Sequence, residues 1–187
     1  PIGMGLVVLG VQATVLMYGT RYMAGGVVTQ VFAFRTISWA LEIIMGTQVI
    51  LIRGFENKLS LFYIVGGLCN LVFNSILYLC GVVQPQYYVL TTLLSEYVLL
   101  FIEYCFIRKN ELADLKEVFA PFIKYTCVVV GFVPLALLVN RFIPTNMVID
   151  TNFILNIIVT IIVCAIYYFL VLILVKDKIL VEVLERI

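Results

Sequence analysis

Apolar residues run along this chain in long unbroken blocks rather than in strict alternation. The blocks are Ile2 to Tyr18, Val27 to Ile52, Leu59 to Gly81, Tyr88 to Ile107, Pro121 to Ile143 and Asn152 to Val175, separated by short polar or Gly- and Pro-containing breaks. A helix needs about 20 such residues to cross a hydrocarbon core about 30 Å thick, so each block predicts a transmembrane helix. Continuous apolar runs argue against a membrane barrel, whose strands alternate between lipid-facing and lumen-facing residues. The expected fold is therefore all-α, a polytopic membrane bundle of about six helices. The first block begins at once after Pro1, with no initiator Met, so the first helix is expected to be truncated and the chain to be a fragment. No basic stretch, short apolar core and small-residue cleavage site of a signal peptide stands at the start.

Composition agrees with the pattern. Of the 187 residues, 64% are hydrophobic and 12% charged, against about half and a quarter in soluble domains. Charge then orients the bundle. If the helices alternate in direction, Arg53, Lys58, Arg108, Lys109, Lys116, Lys124, Lys176, Lys178 and Arg186 fall on one side. The other side holds only Arg21 and Arg141, and Arg35 lies within a span. That excess predicts an inner cell membrane protein, multi-pass, with a cytoplasmic C-terminus. The expected organisation is four membrane helices over residues 1–109, a cytoplasmic interfacial segment at 110–120, two further helices at 121–175 and a cytoplasmic tail at 176–187. Leu112, Leu115 and Phe119, and in the tail Ile179, Leu180, Val183, Leu184 and Ile187, recur at helical spacing, as in helices that lie along the interface. Pro121 suits a first helical turn, and Pro134 predicts a kink in the fifth span.

Several chemistries drop out. A net charge of +1 without a basic, aromatic-laced patch gives no footprint for nucleic acid. With no histidine, the common zinc sites and histidine-based nucleophilic catalysis have no residues here. Cys69, Cys80, Cys105, Cys127 and Cys164 lie in apolar runs without a CxxC pair and are expected to be small packing residues. No catalytic cluster, metal site or organic cofactor is expected, and the protein is not expected to be an enzyme.

The polar residues inside the spans carry the remaining information, because a charged side chain at a span's centre costs about 2.5–3.5 kcal/mol on the insertion scale. Arg35, Ser38, Glu42 and Gly46 share one face of the second helix. Thr92, Glu96 and Glu103 share one face of the fourth, and Gly67, Asn70, Asn74, Tyr78 and Gly81 one face of the third. Two readings are open for each set. Asn70 and Asn74 either join helices, at about 0.6–2 kcal/mol each, or contact a substrate. Arg35 either forms a structural ion pair with Glu42 or Glu96, or lines a wet cavity. Glu103 and Arg35 sit nearer the ends of their spans, where snorkelling is expected to suffice. Asn152, Asn156 and Thr160 form a weaker stripe suited to packing or headgroup contact, and Tyr87 and Tyr88 fit an interfacial belt.

Four local patterns fall in a telling order: "YGTRYMAGG" (18–26), "GFENK" (54–58), "CNLVFN" (69–74) and "LTTLLSE" (90–96). Their succession resembles the C-terminal part of oligosaccharide flippases, in the multidrug, oligosaccharidyl-lipid and polysaccharide exporter superfamily. The motifs span Pro1 to about Lys109, and the layout of the spans extends the likeness to the end. "GVVQPQYYVLTT" (81–92) stands where such proteins have a Gly- and Ala-rich approach. The resemblance implies a two-lobed transporter that moves a lipid-linked oligosaccharide on a polyprenyl diphosphate carrier from the inner to the outer leaflet by alternating access. This chain would supply most of the second lobe and two appended helices. Its partners would be that substrate, membrane lipids and the N-terminal lobe of the same protein. Arg35 would meet the diphosphate through its planar fork, Asn70, Asn74 and Ser95 the sugar hydroxyls, and Glu42 or Glu96 a coupling H+ or Na+. The alternatives are H+- or Na+-coupled efflux of organic cations, for which acidic cavity residues without a required arginine would speak, and a scaffold subunit that transports nothing.

Overall fold

The computed structural model describes residues 1–177, and the amphipathic pattern from Ile179 to Ile187 lies outside the described residues. Helices account for nearly all of the described chain, and no strand occurs among the described residues. In order they are α1 (Ile2–Tyr18), a single 3-10 turn (Thr20–Tyr22), α2 (Gly25–Glu42), α3 (Glu56–Leu79), α4 (Pro85–Lys109), α5 (Leu115–Val130), α6 (Phe132–Phe142) and α7 (Thr151–Leu174). After Glu42 the second helix continues without a break as a wider π-helix, Ile43–Leu51.

Five runs, Gly25–Leu51, α3, α4, Leu115–Phe142 and α7, are long and apolar enough to cross a bilayer, and α1 is a shorter apolar helix. Large apolar side chains stand exposed on every run, among them Phe34, Ile64, Phe101, Leu138 and Ile162. A surface of that kind is stable against lipid tails and not against water. The protein is a helical, multi-pass membrane protein.

Local chemistry explains the breaks. Gly54 and Gly81 close the turns before α3 and α4 at φ 81° and 73°, a conformation that costs glycine nothing. Pro85 occupies the first turn of α4, where its missing N–H is not needed. The Asp150 carboxylate caps α7 by accepting a 2.7 Å bond from the Phe153 N–H.

The fifth span differs from its prediction. Leu115 and Phe119 belong to the start of α5, which runs through Pro121, so no separate interfacial helix stands at 110–120. Leu112 is buried with Leu41, Leu100 and Ile107, and Leu115 and Phe119 pack onto them; that apolar cluster extends the helix past the proline. The span is interrupted at Gly131, which places Pro134 in the first turn of α6.

The chain packs as two compact units, one made of Pro1–Gln30 with the chain from Lys124 onward, the other of Val31–Ile123. In the first, α1 and the start of α2 cross at glycines. A Cβ on Gly26 would stand 2.6 Å from the Val11 Cα, and one on Gly10 would stand 3.3 Å from the Gly26 carbonyl oxygen. Small residues permit this approach, as at helix crossings in membranes generally. The Thr14 and Thr29 hydroxyls lie 2.9 Å apart at the crossing, and the Gln30 amide donates to the Val7 carbonyl at 2.9 Å. Elsewhere in this unit buried Asn156 donates to the Asn140 side chain at 3.0 Å and to the Ile143 carbonyl at 2.7 Å. Asn156 therefore joins α7 to α6, Thr160 is buried, and Asn152 is exposed. Of the cysteines, Cys164 is buried and Cys69 half-buried, while Cys80, Cys105 and Cys127 are exposed.

Candidate functional site

The second unit gathers the membrane-embedded charges. Its core is apolar, with Met45, Ile50 and Ile107 buried, and the polar residues form a strip through it. The face Arg35, Ser38, Glu42 and Gly46 meets the acidic face of α4. Arg35 Nε donates to Glu96 Oε1 at 2.7 Å and its Nη2 reaches the same oxygen. Ser38 Oγ donates to the other oxygen, Oε2, at 2.8 Å. The single Ser38 hydrogen is shared with the Arg35 carbonyl, also at 2.8 Å, so the main neutralisation of Glu96 comes from the Arg35 guanidinium on Oε1. The Arg35 guanidinium also lies 5.2 Å over the Phe32 ring. Of the two partners that spacing allowed for Arg35, the structure selects Glu96.

The asparagine face of α3 reaches α4 one turn further along. Asn74 Nδ2 donates to Asn70 Oδ1 at 3.0 Å, Thr91 Oγ1 donates to Asn74 Oδ1 at 2.5 Å, and the Thr92 hydroxyl approaches Asn70 Oδ1 at 3.4 Å. This chain of amides and hydroxyls joins α3 to α4, the joining role open to both asparagines. The close approach is made by Gly66, where a Cβ would touch the Leu99 side chain at 3.5 Å, and not by Gly67, which has open space beside it. Tyr78 is 76% exposed and takes no part.

The open space beside Gly67 is a cavity of about 170 Å³, lined by Tyr63, Asn70, Thr92, Ser95 and Glu96 among others. Three of the sequence candidates, Asn70, Ser95 and Glu96, thus share one wall. Asn74 and Arg35 stand behind it, each bonded to a lining residue. Ser95 is buried and its hydroxyl donates to the Thr91 carbonyl at 2.9 Å, so its hydrogen is committed to its own helix. Glu42 is not among the lining residues; its carboxylate accepts a short bond from the Tyr63 hydroxyl.

Glu103 departs most from expectation. Rather than snorkelling, it is 0% exposed, and neither of its carboxylate oxygens has a hydrogen-bond partner among the described residues. Its Oε1 turns toward Gly46 and the Glu42 carboxylate. Sequence spacing placed Glu103 on the right face of α4 but not at its depth, and gave no sign of Tyr63 or Thr91 as partners.

No metal-binding group of three or more Cys, Asp or Glu side chains occurs among the described residues. The arrangement offers a small cavity whose surface is mostly apolar with a few polar groups on it, an ion pair of which only Glu96 reaches the lining, and a buried acidic pair near by. Comparison of the chain with protein-family models, with curated proteins and with solved structures finds no match, and the chemistry of this unit rests on its own residues.

Proposed function

We propose that the chain is part of a transmembrane transporter that flips a lipid-linked oligosaccharide, on a polyprenyl diphosphate carrier, from the inner to the outer leaflet for cell-surface polysaccharide synthesis. The observation that carries this reading is the amide-, hydroxyl- and carboxylate-lined cavity inside membrane-spanning helices. Polar groups at that depth mark substrate pathways in membrane proteins. The order of the four motifs, with its likeness to oligosaccharide flippases, supports the same class.

In this reading Asn70 and Thr92 meet sugar hydroxyls, and Arg35 exchanges partners. When the cavity is empty its guanidinium is neutralised by Glu96; when a diphosphate enters, the planar fork turns to phosphate oxygens and Glu96 keeps the Ser38 bond. Alternating access follows if one partner of Arg35 holds the cavity closed and the other holds it open. The excess of basic residues on one side supports a cytoplasmic C-terminus.

One observation favours a second reading. Arg35 and Glu96 cancel, so Glu42 and Glu103 leave the interior acidic, which suits efflux of organic cations coupled to H+ or Na+. The experiment that separates the two is leaflet location in cells lacking the intact protein. Lipid-linked oligosaccharide accumulating on the cytoplasmic face, and cleared by the restored gene, supports the flippase. Normal distribution with lost resistance to organic cations replaces it with efflux, and neither defect leaves a scaffold.

A further inference from the structure

The buried carboxyl of Glu103 has no task in the cavity described above. It is a fully buried side chain without a single donor among the described residues, and an unpartnered carboxylate anion in such a place is among the most costly arrangements a protein interior can hold. Its surroundings are specific. A Cβ on Gly46 would stand 2.8 Å from Glu42 Oε1 and 2.9 Å from Glu103 Oε1, so both oxygens turn into the one space that the missing side chain leaves open. The Leu59 side chain closes that space at 3.3 Å. Gly46 lies in the π-helical stretch that begins directly after Glu42, and widened turns of this kind cluster at functional positions.

The titratable groups facing Glu103 are Glu42 from α2 and, across the Glu42 carboxylate, Tyr63 from α3, with the Thr47 hydroxyl of the π-helical stretch beside Tyr63. The Tyr63 hydroxyl donates to Glu42 Oε1 and so gives that carboxylate one hydrogen. The arginine within the spans, Arg35, is committed to Glu96. Two carboxylates therefore face each other with one phenol hydrogen and no cation between them.

We propose that Glu42 and Glu103 form a proton-binding site in which Glu103 carries the proton and directs it at the Glu42 carboxylate, with Tyr63 as the second donor to Glu42. Carboxyl pairs that share a proton are a known solution to two acids in one pocket. A sodium or divalent ion fits less well: hard cations gather about six or more oxygens, and the pocket presents two carboxylates and a phenol beside a leucine. The consequence is mechanical. With the proton in place, the π-helical end of the second helix is tied to α4; when it leaves, two like charges share a dry pocket and the two helices are driven apart. This site does not depend on what the protein transports.

The test is infrared spectroscopy of the intact protein reconstituted in vesicles at neutral pH. We expect a protonated-carboxyl band that moves when wild-type protein is made with carbon-13 glutamate and is lost in Glu103→Gln. In Glu42→Gln the same band should shift, because its acceptor has lost its charge. Gly46→Ala keeps both acids and pushes their oxygens apart, and should also shift the band. A wild-type spectrum without a glutamate-derived protonated carboxyl would overturn the proposal, and this needs no variant to fold. A band that survives in Glu103→Gln would overturn it as well, as would one that disappears when sodium replaces potassium. Loss of lipid flipping with the band intact would instead count against the transport reading alone.

Discussion

The two packing units solve the problem of polar groups in a membrane bundle in different ways. In the unit built from α1, the start of α2 and α6 with α7, most polar side chains between helices are neutral, Thr14 with Thr29, Gln30 with a carbonyl and Asn156 with Asn140, and the charge that does enter, buried Asp177, is met by Lys124 at 2.5 Å and by the Tyr125 hydroxyl. In the unit from Val31 to Ile123, four charged side chains enter the spans, and only the Arg35–Glu96 pair balances. Neutral amide and hydroxyl pairs need no explanation beyond helix association. Charges carry a cost that association does not require, and an unbalanced pair of acids carries more. What sets the second unit apart is its unbalanced acids, Glu42 and Glu103, rather than charge as such.

Substitutions sharpen that contrast. The largest effect is expected at Arg35. Arg35→Ala removes charge-assisted hydrogen bonds worth about 1.5–3 kcal/mol, so flipping of a lipid-linked oligosaccharide by the intact protein should fall by about tenfold or more. Arg35→Lys keeps the charge without the planar fork and should restore only part of it. In the first unit, Gly26→Leu places a side chain against the Val11 backbone and should destabilise the protein by about 1–3 kcal/mol, read as a lowered melting temperature in detergent. Asn74→Leu removes the link between α3 and α4, and Asn156→Leu the link between α6 and α7. Each should cost about 0.6–2 kcal/mol of stability and leave the flipping rate per folded molecule unchanged. Ser38→Ala is the mildest change, since Glu96 keeps Arg35; a loss of about 1 kcal/mol or less is expected in the same melting experiment. If Asn156→Leu stopped flipping while Arg35→Ala did not, the contrast between the units would be reversed.

Much of this was legible in the residue order. Spans are set by apolar length, so α1, α3, α4 and α7 begin and end within a few residues of their sequence blocks. Helical spacing put Arg35, Ser38, Glu42 and Gly46 on one face and Glu96 and Glu103 on another, and these two faces meet. What spacing does not encode is depth and neighbours. Glu103 looks peripheral by its distance from the end of α4, yet α4 is central in its unit and buries it. The π-helical stretch after Glu42 has no Gly–Pro signature in the sequence, and it packs against α3 and α4. Pro121 read as a helix start because the apolar contacts of Leu115 and Phe119 that carry α5 past it come from distant sequence.

The most direct measurement places lipid-linked oligosaccharide in one leaflet of vesicles containing the intact protein and follows its appearance in the other, for wild type, Arg35→Ala and Asn156→Leu side by side. The account predicts that wild type and Asn156→Leu flip the lipid at similar rates and that Arg35→Ala does so at least about tenfold more slowly. Flipping by Arg35→Ala at the wild-type rate, or none by the wild type, would contradict it.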